Sequence, residues 1–148
     1  MVDPEDGTIW LTDHGPRGGD ELNRMEAGGN YGWPVVSRGR DYRSEEPFGE
    51  ARYDADMIDP VYEFLPTLAP SGLAMVTADR FGSWQGNLLA GGLRAERILR
   101  IVIEDDEVVH IEELLHGKIG RIRDVREGPE GHIYVLTDHS DGGLYRLE

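Results

Sequence analysis

The sequence predicts an all-β chain built from short strands and tight turns. Three observations support this. Glycine supplies 20 of the 148 residues, dispersed and not periodic. That pattern excludes collagen and low-complexity linkers and asks for many turns. Next, "DPEDGTIWLTDHG" near the start is echoed by "GPEGHIYVLTDHS" near the end. Both read as a turn, a β-branched and aromatic strand, then Leu-Thr-Asp-His. Finally, a looser copy lies between them, "GSWQGNLLAGGLRAERILRIVI", again turn, strand, Gly-Gly, strand. Propeller blades recur every ~40–45 residues, and the second and third copies lie about that far apart. The expected architecture is therefore a partial β-propeller of about three blades over residues 1–148.

The elements follow in order. The first copy gives a strand in "TIWLTD", a glycine-rich loop, and a second strand in "DELNRME". Residues 35–60 carry a charged, proline-containing stretch without clear period, read as one long inter-strand loop. "LPTLAPSG", residues 65–72, is an irregular segment fixed by two prolines and a Ser-Gly, and the strand "LAMVTA" follows. The middle copy supplies two more strands. "EDDEVVHIEELL" comes closest to a helical period, but reads as a strand from Val108 to Leu115 with a turn before it. "GRIRDV" is a short strand, and the last copy closes the chain. A propeller usually needs four to eight blades to close. Three leave unpaired edges and exposed apolar faces. The expectation is a fragment of a longer protein, or half of a ring assembled as a two-fold dimer of three-blade halves.

Composition narrows the partners. The formal net charge is -14, which disfavours nucleic acid and anionic membranes as partners. Lys118 is the only lysine among 15 basic residues, so nearly all the positive charge sits on planar, fork-like guanidinium groups. There are no cysteines, which excludes disulfides and thiolate metal sites. No apolar run approaches the ~20 residues of a membrane span. No signal peptide is visible, because Met1 is followed directly by the turn "VDPEDG". This suggests a truncated gene or an excised segment.

Several motifs could carry chemistry, each with a plainer alternative. "HGPRGGDE" leaves a strand and must turn sharply. A Gly-Pro loop of this kind can aim backbone carbonyls outward, and calcium accepts carbonyl oxygens readily. The alternative is an ordinary inter-strand loop. "GGNYGWP" reads equally as a tight loop plugged by aromatics. In "GRIRDV", strand alternation puts Arg121 and Arg123 on one face. Two guanidiniums side by side repel unless an anion lies between them; the alternative is a solvated edge strand. Arg94, after a Gly-Gly pair, could converge on the same place and complete a site for a polyanionic small molecule. Thr67 could be presented by "LPTLAPSG", or belong to a simple loop. The five histidines are too dispersed for a zinc helix motif. "DPEDG" and "EDDE" offer carboxylates, but turns use such residues routinely. No Ser-His-Asp order or phosphate-cradling glycine loop is present.

Taken in order, "DHGPRGGDELN", "GGNYGWP", "YEFLPTLAPSG", "GSWQGNLLAGGLR", "GRIRDV" and "GPEGHIYVLTD" resemble the C-terminal half of the soluble quinoprotein glucose/sorbosone dehydrogenases, which include the aldose sugar dehydrogenases. The resemblance covers about residues 3–148. It implies a six-bladed propeller of that type, with about half present, and the cofactors pyrroloquinoline quinone (PQQ) and calcium. It implies that the carbonyls of Gly15 and Pro16 bind calcium. It places Arg94, Arg121 and Arg123 among the basic residues around the cofactor, and Tyr62 and Thr67 among further cofactor- or sugar-contacting groups. His14 is placed beside the calcium pair, lining the sugar pocket. Asp20 matches an acidic position of the same loop with a structural role.

The implied reaction is oxidation of a sugar C1 hydroxyl, with a base taking the proton and the quinone taking hydride. The family's catalytic base is a histidine in the N-terminal half, and no histidine here matches its motif. No catalytic residue is therefore assigned. The 148 residues alone are expected to be inactive. The competing reading is a non-catalytic half-propeller scaffold or ligand-binding module that dimerises. The family is typically periplasmic or secreted, which leaves the location of this chain undecided.

Overall fold

The computed structural model describes all 148 residues, Met1–Glu148. Ten strands form three antiparallel sheets. The first sheet joins β1 (Trp10–Asp13), β2 (Glu21–Arg24) and β3 (Tyr62–Glu63) in that order. The second is a four-stranded meander of β4 (Pro70–Met75), β5 (Leu88–Gly92), β6 (Ile98–Glu104) and β7 (Glu107–Leu114). The third joins β8 (Ile122–Glu127), β9 (Ile133–Thr137) and β10 (Leu144–Leu147). The only helical segment is a 3-10 stretch, Asp79–Trp84, broken at Gly82. The three copies read from the sequence are thus three sheets, and "EDDEVVHIEELL" is a strand. Its Asp105-Asp106 pair is a two-residue hairpin turn, with φ of 51° and 64° at the two positions. Positive φ at both central residues is what a type I′ hairpin requires, so these carboxylates serve a turn.

The chain divides into two compact units: Ala69–Glu148 with Met1, and Val2–Leu68. In the larger unit, Ala74, Val76, Leu89, Ile98, Ile122, Val125, Ile133 and Val135 form one buried aliphatic cluster. On β9 the burial follows the two-residue period of a strand: Ile133, Val135 and Thr137 are buried, and Leu136 is exposed. On β8 the buried pair Ile122 and Val125 lie three apart, which a regular strand would send to opposite faces. A register shift between Ile122 and Asp124 re-phases the strand and returns both to the core. All five residues of β5 are buried, so this strand is covered on both faces. Each fully buried Leu or Ile here contributes about 1.5–3 kcal/mol. Edge strand β7 carries exposed Glu107, His110 and Glu113, charged or polar groups that discourage pairing with another chain.

In the smaller unit, β1 and β2 pair from Trp10↔Arg24 to Asp13↔Glu21. Trp10 is 4% exposed, while Leu11 is 43% exposed, the same value as Leu136 in the terminal copy. The repeated Leu therefore occupies the same outward position in two sheets. Between β2 and β3, residues 35–60 carry no named strand and only isolated bridges at Val36↔Ala51 and Arg40↔Pro47. Trp33, just before this stretch, stacks on Phe48 within it, their ring centroids 4.9 Å apart.

Candidate functional site

The segment from His14 to Asp20 connects β1 to β2 and is held from within. Asp20 is 1% exposed. Its Oδ1 accepts the Gly15 amide at 3.1 Å, and its Oδ2 accepts the Thr67 hydroxyl at 2.5 Å. The Asp20 carbonyl accepts the Phe64 amide at 2.8 Å, so the backbone is fixed as well. Gly15 has no room for a side chain: a Cβ there would run into the carbonyls of Gly18 and Gly19. Gly39 is equally constrained, since its Cβ would strike the Pro16 carbonyl oxygen. That oxygen accepts the Arg40 amide at 2.7 Å. A carbonyl oxygen carries two lone pairs, so the Pro16 oxygen can accept a second partner.

The long loop is fastened to this sheet by Arg38. Its guanidinium meets Glu21 at 3.1 Å, Asp59 at 2.7 Å and Glu63 at 3.7 Å. Arg52 adds a second contact to Glu63 at 3.3 Å. The side chains of Arg38 and Glu21 are only 14% and 15% exposed. Burial pushes the Glu21 carboxyl above its ordinary range, and hydrogen bonds from Asn23 and Arg38 offset this only in part.

In the larger unit, Arg121 and Arg123 reach the same carboxylate. Arg121 Nε and Nη2 bind one oxygen of Asp138 at 3.0 and 2.9 Å. Arg123 Nη2 binds the other at 2.9 Å. The anion that two neighbouring guanidiniums require is thus the protein's own. Hydrogen bonds from Arg123 and then Arg121 hold the Asp138 carboxyl below its usual range. Two cations share one anion, which leaves the trio with one net positive charge. His139 Nε2 accepts the Arg121 amide at 3.3 Å. Arg94, in the β5–β6 connection, is exposed and does not share this carboxylate.

The remaining candidates divide clearly. Gly15, Pro16 and Thr67 are drawn together through Asp20 in the smaller unit. His14 is exposed in the same loop. Tyr62 lies on β3 opposite Leu22, its ring edge-on to Phe64 at 5.5 Å. The sequence reading missed Asp138 and Arg38. Asp138 was visible as the repeated Asp of Leu-Thr-Asp-His. Arg38 carried no signal, because it sits in a stretch without period.

The donor set suits a hard cation. No cluster of three or more His, Asp or Glu side chains could hold a metal. The turn instead offers neutral carbonyl oxygens, and oxygen donors of this kind suit calcium. The donor chemistry of the Gly15 and Pro16 carbonyls is compatible with the calcium ion that the resemblance implies.

Comparison with known proteins adds to this. The family model described as glucose/sorbosone dehydrogenase matches residues 1–146. An uncharacterised protein of Synechocystis, slr1608, is 47% identical over 148 residues, covering 99% of this chain and 35% of that protein. The aldose sugar dehydrogenase YliI of Escherichia coli is 37% identical over 147 residues, covering 99% of this chain and 40% of that one. Among solved structures, a glucose dehydrogenase superposes with a TM-score of 0.93 at 38% identity, over 99% of this chain and 43% of that one. The PQQ-bound aldose sugar dehydrogenase of Streptomyces coelicolor superposes with a TM-score of 0.73 at 24% identity, over 99% of this chain and 41% of that one, a likeness of fold. The chain thus spans less than half the length of the relatives it matches.

Proposed function

The chain belongs to the glucose/sorbosone dehydrogenase family, and from that premise we propose that it is the C-terminal part of a PQQ- and calcium-dependent aldose dehydrogenase that oxidises the sugar C1 hydroxyl. The observation that carries the reading is the Gly15–Pro16 turn, a Gly-Pro loop held through the Gly15 amide by a buried carboxylate. In this reading Gly15 and Pro16 hold calcium through their carbonyls. When bound, calcium would supply Lewis-acid polarisation and PQQ an acceptor for hydride.

The chain's own residues would do the rest by charge and position. Arg121 and Arg123 face an anion with one positive charge left over after Asp138, and Arg94 adds an unshared guanidinium. These groups suit the carboxylates of PQQ and would stabilise negative charge as it develops. His14 and Tyr62 are proposed to border the sugar or cofactor. No residue here is assigned as the base that takes the hydroxyl proton. The 148 residues by themselves should therefore show little or no dye reduction with PQQ, calcium and glucose.

The test is an absorbance titration of PQQ into the chain, with calcium and with a chelator. Saturable, calcium-dependent binding supports the reading, and no binding contradicts it.

A second reading is a half-propeller that dimerises and serves as a scaffold. It is favoured by the apolar outer edge of the third sheet. β10 lies at the end of that sheet, with Leu144 69% and Tyr145 44% exposed. Sedimentation velocity discriminates: a dimer supports this reading, and a well-folded monomer counts against it.

A further inference from the structure

We infer that Asp20 is the positioning residue of the Gly15–Pro16 turn, holding it through the Gly15 amide, and that Thr67 acts on the turn through Asp20. The calcium part of this inference rests on the function proposed above.

The burial of Asp20 is the first reason. A turn carboxylate is normally solvated, and taking one out of water is costly unless hydrogen bonds compensate. Asp20 is 1% exposed and spends its two oxygens on two different segments: the Gly15 amide on Oδ1 and the Thr67 hydroxyl on Oδ2. A carboxylate merely filling space would not need both.

The second reason is what remains free once these bonds form. The Gly15 N–H is fixed by Asp20. The next residue is Pro16, whose ring locks φ and supplies no amide hydrogen. Gly15 also packs so closely on the Gly18 and Gly19 carbonyls that its backbone cannot swing that way. The peptide between Gly15 and Pro16 is therefore restrained on both sides. The Pro16 oxygen is held by the Arg40 amide at 2.7 Å. A pre-set oxygen pair loses little freedom when an ion binds.

The third reason concerns Thr67. Its hydroxyl proton goes to Asp20 at 2.5 Å, so the single donor of the side chain is already used inside the protein. Its effect on a ligand would pass through the carboxylate.

The experiment uses the 148-residue chain with Asp20→Asn, Thr67→Val, Thr67→Ser and the double variant Asp20→Asn/Thr67→Val. Calorimetry reads calcium affinity, and amide hydrogen exchange without metal reads the Gly15 N–H. Asp20→Asn is expected to weaken calcium at least tenfold and to speed Gly15 exchange at least tenfold. Thr67→Val is expected to do both to a lesser degree. The double variant should be no worse than Asp20→Asn, and Thr67→Ser should restore the parent behaviour. Additive losses in the double variant, or failure of the serine to rescue, would overturn the route through Asp20. If the parent binds calcium and Asp20→Asn leaves both readouts unchanged, the positioning role fails alone. If the parent binds no calcium while Gly15 exchange still accelerates, the calcium reading fails and the hold of Asp20 on the turn stands. Should Asp20→Asn not fold, the Thr67 pair carries the same comparison.

Discussion

The two units hold themselves together by different means. Residues 69–148 contain two regular sheets sharing one aliphatic cluster, whose members are almost all Ile, Leu and Val. Residues 2–68 contain one small sheet and a long loop, fixed by Arg38, by the buried Asp20 and by glycines that nothing larger can replace. The first kind of order is distributed: many contacts, each interchangeable to a degree. The second is concentrated in a few polar bonds. The loop between β1 and β2 is held by hydrogen bonds, from the Gly15 amide to Asp20 and from the Arg40 amide to the Pro16 carbonyl, rather than by an apolar cluster.

The largest expected effect breaks the distributed order. Ile98→Ala removes a fully buried side chain from the cluster and should cost about 2–5 kcal/mol, read by urea unfolding. A cost under 1 kcal/mol would mean that the two sheets do not depend on a shared core.

Next comes Arg38→Ala, which strips the half-buried Glu21 of its main cation. It should cost about 1–3 kcal/mol and make residues 35–60 the first site of proteolysis. Uniform cleavage along the chain would show that the loop is held otherwise.

Gly39→Ala drives a methyl group into the Pro16 oxygen. Overpacking of this kind costs about 1–3 kcal/mol. Its sharper consequence is loss of calcium affinity with the larger unit unaffected, visible as calorimetric binding lost while near-UV circular dichroism from Trp84 persists. Retention of affinity would show that the Pro16 oxygen is not a ligand.

The smallest effects concern pH, and the two units should respond with opposite sign. Asp138 titrates below its unfolded range. Its contribution is complete above the ordinary Asp value of 3.8 and is lost as pH falls through the lowered one. Glu21 titrates above its unfolded range. The folded unit binds that proton more readily, so stability from this group falls as pH rises from the ordinary 4.5 through the raised value. Asp138→Asn should flatten the acid limb of the unfolding curve, and Glu21→Gln should remove the decline above it. Identical profiles for both variants would contradict the opposite environments.

Much of this was legible in the residues. The repeated Leu-Thr-Asp-His gave two hairpins correctly, because alternation and turn chemistry are local properties. Residues 35–60, which show no period in sequence, carry only isolated bridges. Strand alternation also predicted that Arg121 and Arg123 need an anion. It did not supply Asp138, because that carboxylate is brought there by the pairing of β8 with β9, where Ile122 faces Thr137. Cross-strand neighbours depend on register, and a bulge sets the register here. The Arg38 cluster was invisible for a stronger reason. Glu21, Asp59 and Glu63 are distant in sequence, and a charged loop residue normally faces water.

The most direct measurement is PQQ affinity in saturating calcium for the parent chain and for Arg121→Ala/Arg123→Ala. A fall of at least tenfold in the double variant, with calcium binding unchanged, is the expected result. Equal affinity for the two chains would contradict the assignment of these arginines, and with it the reading of this unit as part of a quinone site.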